Sequence, residues 1–437
     1  MVTIYIVDHS RRLDNYFFGE FPEKLWDRPA RCRLKGGAGV AVAGVIAEYN
    51  PFHRGHGWLL AELRRRLGAD TAVIACMSGN FVQRGDFAIL SKHARTEAAL
   101  LGGADLVLEL PTPWSAAAAE RFAQGGVAVL AATGVVTHLV FGSESGELAP
   151  LQRAADCLES PAYRAGLRRY ADSGLPFAAA RQAVVQELAR EAADCLSRPN
   201  DTLAVEYLRA LRAAGEPMEP LALPRVGAGH DSGEASPMPS ASLVRETILT
   251  GGDWRPLLPG STAAILDREI AAGRAPVSIG ICQRAVLARL RQMDEADFLP
   301  YDGGNEGLYH RFYNAIRTAS SLDGVLTAAK TKRYPMARLR RMLLQSYLGA
   351  PQAAQGEIPP YLRVLGANAR GRALLGQMRG RTALPVLTKP GHARLLDREA
   401  RRVFHQEAAC TDLYTLAYPA LDQAAPGQEF RAGPVMQ

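Results

Sequence analysis

The stretch Val40-Ala41-Val42-Ala43-Gly44-Val45-Ile46-Ala47-Glu48-Tyr49-Asn50-Pro51-Phe52-His53-Arg54-Gly55-His56 decides how the rest of the chain is read. Its apolar run, Val40–Ala47, is too short for a helix and ends in the Asn50-Pro51 turn pair. The segment Gly57–Arg66 that follows has a helical pattern. The same alternation continues outward. Thr71–Met77 is a second apolar run and Lys92–Leu101 is helical. Leu106–Leu110 is a third strand, Arg121–Ala132 a helix and Thr137–Phe141 a fourth strand. Short apolar runs separated by helices imply an α/β fold: a parallel, doubly wound sheet of Rossmann-like type, covered on both faces. Ligands of such sheets sit at the carboxyl ends of the strands, so the loops after Ala47, Met77, Leu110 and Phe141 are where chemistry is expected.

The first of those loops carries the strongest signal. At a helix start, free backbone N–H groups and the positive end of the dipole favour an anion. Gly55 leaves room for a phosphate to approach, and His53 and His56 can both donate imidazole N–H groups to it. A zinc fragment is the weaker alternative, because metal-binding helices favour i, i+4 histidines and further ligands nearby. A plain structural turn is the other.

A second phosphate-binding end is read at Ser240-Ala241-Ser242-Leu243-Val244-Arg245, between a Pro-containing loop and a helical stretch. Ser240 and Ser242 can cap the helix or bind phosphate, and Arg245 can reach the same anion. The loop Met77–Gly85, with Gly79, Asn80 and Arg84, is either a turn or a ligand contact. The backbone at Phe141–Gly146 is bare enough for adenine or ribose to lie on. Pro199-Asn200-Asp201 reads as a helix cap. Lys92 and Arg95 read as surface residues for which a phosphate role stays open.

With 437 residues the chain is long enough for two or three domains. Helical patterns at Ala154–Leu158, Tyr163–Ala171, Phe177–Cys195 and Leu203–Ala213 form an insertion, after which Leu221–Val226 returns as a strand of the first sheet. Residues 228–239 form a loop, and the remainder is mostly helical with a frayed end at Ala424–Gln437. The expected division is therefore an extension at 1–39, a nucleotide-binding domain at 40–250 and a mainly helical domain at 251–437. Residues 1–39 have no period and no signal-peptide pattern. They are either a loosely attached extension or sequence ahead of a true start near Val40 or Val42.

The six cysteines lack any C-x-x-C pair, which fits a reducing cytoplasm and small buried side chains. No run of about 18 apolar residues suggests a membrane span. The net charge is +7. It gathers in the C-terminal part, where Ile358–Leu396 holds no acidic residue and Lys330, Lys332, Arg333, Arg338, Arg340 and Arg341 form a block just upstream. Basic charge without interspersed acids is the footprint of a phosphate backbone.

The phrases at 47–56, 77–85, 105–111, 141–146, 199–201, 240–245 and 330–334, in this order and spacing, resemble the bacterial tRNA(Met) cytidine acetate ligase family over roughly Val42 to Lys389. Arg54 stands where that family more often has Asn. The resemblance implies a nucleotidyltransferase-type fold. The implied enzyme adenylates acetate with ATP and acetylates N4 of the wobble cytidine of elongator tRNA(Met). It also implies ATP contacts at Ile46, Ala47, Glu48, Tyr49, Asn50, Pro51, Phe52, His53, Arg54, Gly55, His56, Gly57, Trp58, Leu59, Gly142, Asn200 and Arg225.

His53 and His56 are the expected catalytic pair, and the basic block the expected tRNA contact. Magnesium is expected to arrive with ATP, with no metal site in the protein and no protein partner implied. Two other readings stay open. A small-molecule nucleotidyltransferase would use the same histidine logic without tRNA. A nucleotide-sensing RNA-binding factor would bind ATP without turnover.

Overall fold

The computed structural model describes residues 40–172, 177–225, 238–302 and 307–437. The expected extension at 1–39 and most of the expected loop at 228–239 lie outside the described residues.

Strands β1 (Val42–Ala47), β2 (Ala72–Ser78), β5 (Leu106–Leu110), β6 (His138–Ser143) and β7 (Glu219–Pro224) form a parallel array. A short antiparallel hairpin, β3 (Phe81–Val82) and β4 (Asp86–Phe87), follows β2. Later strands are β8 (Leu362–Ala367), β9 (Val386–Leu387) and β10 (Val435–Met436). The sheet order is β10-β8-β5-β2-β1-β6-β7, with β9 also on β8.

Alternate residues supply the two faces, as the period-two geometry of a strand requires. Ala43, Val45, Val73, Ala75 and Val107 pack under Leu60 and Leu63 of α1 (Arg54–Leu67) and Ala94 and Ala98 of α2 (Lys92–Leu101). Val42, Ile74, Cys76 and Leu108 pack under Phe122 and Val127 of α3 (Ala119–Ala132) and Ala204 and Leu208 of α4 (Pro199–Ala213). Connections from β1 run to β2 on one side and, further along the chain, to β6 on the other. The topological switch point therefore lies between β1 and β6.

Helices Leu148–Glu159, Pro161–Asp172 and Phe177–Leu188 form the insertion. The expected single helix through Cys195 breaks after Leu188 into Arg190–Ala193 and a 3-10 turn at Asp194–Ser197. Beyond α5 (Ala241–Leu249), the C-terminal part is mainly helical and includes α6 (Met336–Leu348), α7 (Ala369–Met378) and α8 (Arg398–Thr415). Its core of Phe312, Leu339, Leu343 and Tyr414 also takes in Phe81 and Phe87 of the hairpin.

Three expectations are corrected here. The division at residue 250 does not separate the sheet from the helical part, because β8 pairs antiparallel with β5 and β10 pairs parallel with β8. The end at Ala424–Gln437 is not frayed: Glu429 is buried and Val435 is paired in the sheet. Lys92 and Arg95, read as surface residues, are both buried.

One buried charge cluster accounts for the ordered tail and for Lys92. Lys92 Nζ lies 2.6 Å from Glu109 and 2.8 Å from Glu429, while Arg363 lies 2.7 Å from Glu429 and 3.5 Å from Glu109. Glu407 sits 3.9 Å from Lys92 and accepts the Thr112 N–H at 2.8 Å. Arg363 is thus a core residue and not part of a basic surface. Arg95 donates to the carbonyls of Leu90, Glu48, Ser78 and Gly79, tying the ends of β1 and β2 together. The five cysteines among the described residues are free and buried.

Removing one partner of such a cluster strands the others in a poor solvent for charge. Lys92→Met is expected to lower unfolding free energy by about 3–5 kcal/mol in urea titrations. A loss under about 1 kcal/mol, the size of an exposed pair, would show that the cluster is not what closes the C-terminal tail on the sheet.

Candidate functional site at the switch point

The chain leaves β1 and turns sharply. Tyr49 adopts the left-handed backbone region (φ 45°), uncommon for a bulky residue. Its buried ring lies against Phe52 (centroids 5.0 Å) and edge-on to His56 (4.9 Å). His53 then caps α1. Its Nδ1 accepts the Gly55 N–H at 3.0 Å, and its own N–H donates to Nδ1 of His56 at 3.2 Å. This is a capping box built from two imidazoles, which stack at 3.8 Å between centroids.

The consequence is chemical. With both Nδ1 atoms accepting backbone hydrogens, each neutral ring carries its proton on Nε2. Burial first, then the charges of Arg225 and Arg245, push His53 down to about 3. His56 is lowered as well, by burial, His53 and Arg225. Both rings are therefore uncharged donors at neutral pH. Gly55 is required by the same contact, since a Cβ there would stand 2.9 Å from Cε1 of His53.

The remaining expected residues divide clearly. Gly142 on β6 faces the corner across the switch point; a Cβ there would meet Arg225 Cγ at 3.3 Å and Leu59 at 3.4 Å. Arg225 donates to Asn200 Oδ1 at 2.7 Å. Asn200 is held by Glu144, whose carboxylate accepts from Asn200 Nδ2 (2.6 Å) and from the Asp201 N–H (2.7 Å). Asp201 answers by accepting from Ser143 Oγ and the Glu144 N–H at 2.6 and 2.8 Å. Pro199-Asn200-Asp201 is thus the first turn of α4, clamped onto the end of β6. Glu144 had no mark in the sequence, because the Glu144–Asp201 exchange joins segments far apart in the chain.

Arg245 on α5 donates to the Asn50 carbonyl at 2.8 Å and to Ser242 Oγ at 3.2 Å. Ser240 accepts the Leu243 N–H at 3.2 Å, which gives it the capping role. Ile46, Ala47, Asn50, Pro51, Phe52, Gly57 and Trp58 shape the corner, whereas Arg54 is exposed. Glu48 accepts the Gln83 N–H at 2.8 Å and so fixes the β3–β4 hairpin beside the histidines. The charge of Arg84, on that hairpin, bears on both Arg225 and Arg245.

The basic block begins at the same hairpin: a Cβ on Gly85 would lie 2.5 Å from the Arg340–Arg341 peptide. Lys330, Lys332, Arg333 and Arg340 are exposed. Arg338 bonds Asp302 at 3.1 Å, and burial lowers Arg341 to about 10. A separate cavity of about 380 Å³ opens beside Ser91, His93, Arg268, Glu269 and Glu429, away from the corner. Among the described residues, no group of three or more His, Cys, Asp or Glu could hold a metal ion, and no helix is long and apolar enough to cross a membrane.

His53 titrates in the unfolded chain near 6.5 and in the folded chain at about 3. Between these values the unfolded state binds more protons, so stability falls as pH drops from about 6.5 towards 3. His53→Asn keeps a capping acceptor and removes this titration. Its unfolding midpoint should change less than that of the unaltered protein between pH 7 and 5. Parallel pH curves for the two would contradict a buried neutral His53.

Comparison with known proteins agrees with the geometry. Residues 40–429 match the family model described as HIGH Nucleotidyl Transferase. A tRNA(Met) cytidine acetate ligase of Syntrophomonas wolfei is 35% identical over 419 residues, covering 91% of this chain and 99% of that protein. The crystal structure of Thermotoga maritima TmcAL, apo form I, superposes with a TM-score of 0.86 at 32% identity, covering 91% of this chain and 99% of that one. The same protein bound with alpha-thio ATP superposes with a TM-score of 0.84 over the same shares. Matched by the family model over residues 40–429 and by these relatives over 91% of its length, the chain belongs to the tRNA(Met) cytidine acetate ligase family of HIGH nucleotidyl transferases.

Proposed function

We propose that the protein is an ATP-dependent ligase that activates acetate as acetyl-adenylate and transfers the acetyl group to N4 of the wobble cytidine of elongator tRNA(Met), in the cytoplasm. The observation that carries this reading is the pair of neutral imidazoles, each with its proton on Nε2, set at a helix start beside Arg225 and Arg245. Such a site offers hydrogen-bond donors and fixed positive charge to a triphosphate without needing to lose or gain protons. A carboxylate oxygen of acetate attacks the α-phosphorus, the P–O bond to the β-phosphate breaks, and pyrophosphate leaves with the electron pair. His53 and His56, through their Nε2–H groups, and the positive end of α1 hold the charge that builds on the phosphates. Arg225 and Arg245 lower the repulsion between acetate and ATP.

Magnesium would be held by the ATP phosphates, whose charge it would offset. The carboxylates around the corner are already engaged: Glu144 with the start of α4, and Glu48 with the hairpin. The exposed lysines and arginines next to the hairpin would hold the tRNA by its phosphates, so the two substrates meet at the junction of sheet and helical part. This placement supports the ligase over a small-molecule nucleotidyltransferase, for which the basic block has no use.

The direct test is ATP-dependent transfer of labelled acetate to bacterial tRNA, with N4-acetylcytidine as the product. Label arriving only from acetyl-CoA, or no label at all, would overturn the proposal. His56→Ala is expected to cut acetate-dependent pyrophosphate release by about 10²–10³. Lys332→Ala with Arg333→Ala should weaken tRNA binding and flatten its salt dependence, with the slope of log K against log salt reduced by about 2. An unchanged slope would remove this block from the tRNA interface.

A further inference from the structure

The transfer half-reaction releases a proton that neither imidazole is placed to take, since both rings already hold theirs on Nε2 and resist a second. The carboxylates near the corner can be compared one by one. Glu144 spends both oxygens on the first turn of α4. Glu48 lies on the phosphate side, tied to Gln83. Asp86 is different. Its Oδ1 accepts two backbone hydrogens, from Phe87 at 2.7 Å and from Ile279 at 3.2 Å, which fix the carboxylate plane. Its Oδ2 has no hydrogen-bond partner among the described residues, and the side chain is half-buried.

Its position is set by the hairpin. Asp86 pairs with Val82, and the turn closes through Gly85 in a left-handed conformation (φ 79°) pressed against the start of α6. The charges of Arg245, which grips the Asn50 carbonyl, and of Arg340 in the basic block both bear on Asp86, and its own charge bears on Cys282 in the segment that supplies the Ile279 N–H. The hairpin that carries Asp86 is thus tied at Gln83 to Glu48, just after β1, and packed at Gly85 against the Arg340–Arg341 peptide of the basic block.

We infer that Asp86 is the base of acetyl transfer, its free Oδ2 receiving the proton from the cytidine amino group. This inference rests on the ligase reading above. As N4 attacks the acetyl carbonyl, the C–N bond forms and the C–O bond to the adenylate phosphate breaks. AMP departs with the electron pair, and the amine proton passes to Oδ2 and then to water. Burial raises the pKa of Asp86, which strengthens it as a base, while the Ile279 and Phe87 N–H groups and then Arg245 and Arg340 act the other way and favour the carboxylate.

Asp86→Asn tests this cleanly, because an amide oxygen keeps both backbone hydrogen bonds and the hairpin stays folded. The full-length protein is assayed twice: for acetate-dependent ATP–pyrophosphate exchange, and for single-turnover transfer to tRNA after acetyl-adenylate has formed. Transfer by Asp86→Asn is expected to fall about 10²-fold or more, against less than tenfold for exchange. The rise of the transfer rate with pH in the unaltered enzyme should disappear, and Asp86→Glu should restore part of the rate. Transfer at the original rate, or exchange and transfer falling together, would overturn the inference; the second result would make Asp86 only a support for Arg245. Absence of exchange in the unaltered enzyme would instead sink the ligase reading.

Discussion

A helix start normally leaves backbone N–H groups without partners, and this protein satisfies some of them with the residues that face its site. His53 accepts from Gly55, and His56 accepts from His53. One interaction thereby settles ring position, tautomer and charge state together. The stacked rings cannot both be charged at 3.8 Å in a buried corner. The His56 N–H turns back to the His53 carbonyl at 3.0 Å, so the start of α1 offers an anion chiefly its dipole and the two Nε2–H groups. Moving either ring alters the cap, and altering the cap moves both rings.

That corner is held from two directions. Arg95 clips the end of β1 to the end of β2, and Arg245 reaches the Asn50 carbonyl from α5. Behind the loop after β2, the cluster of Lys92, Glu109, Arg363, Glu407 and Glu429 binds the last helices and strands to the sheet. The β3–β4 hairpin closes the arrangement. Its Phe81 and Phe87 sit in the helical core while its backbone is tied to Glu48, so the helical part is fixed relative to the nucleotide corner. Under the proposed function this matters, because transfer would depend on the separation of the histidine corner and the basic block.

Much of this was legible in the sequence because it is local. Strand runs with both faces apolar, the Pro-Phe-His-Arg-Gly-His turn and the serine before Arg245 each declare themselves within ten residues. The helix Lys92–Leu101 was read to the residue. What could not be read depends on contacts between distant segments. Leu362–Ala367 carries an arginine that looks like surface charge until Glu109 and Glu429 are placed beside it. Lys92 and Arg95 open a helix and look solvated for the same reason. Glu144 and Asp86 follow a strand and a turn without a motif of their own. Arg225 stands at a strand end, and only the family resemblance singled it out.

The central claim is that both imidazoles are neutral donors with their protons on Nε2, poised for a triphosphate. Nitrogen-15 NMR of histidine-labelled protein reads tautomer and charge directly. At pH 7 the account predicts protonated Nε2 and unprotonated Nδ1 for His53 and His56, with both Nε2 signals moving when an ATP analogue is added. Imidazolium signals, protonated Nδ1, or resonances indifferent to the nucleotide would contradict it.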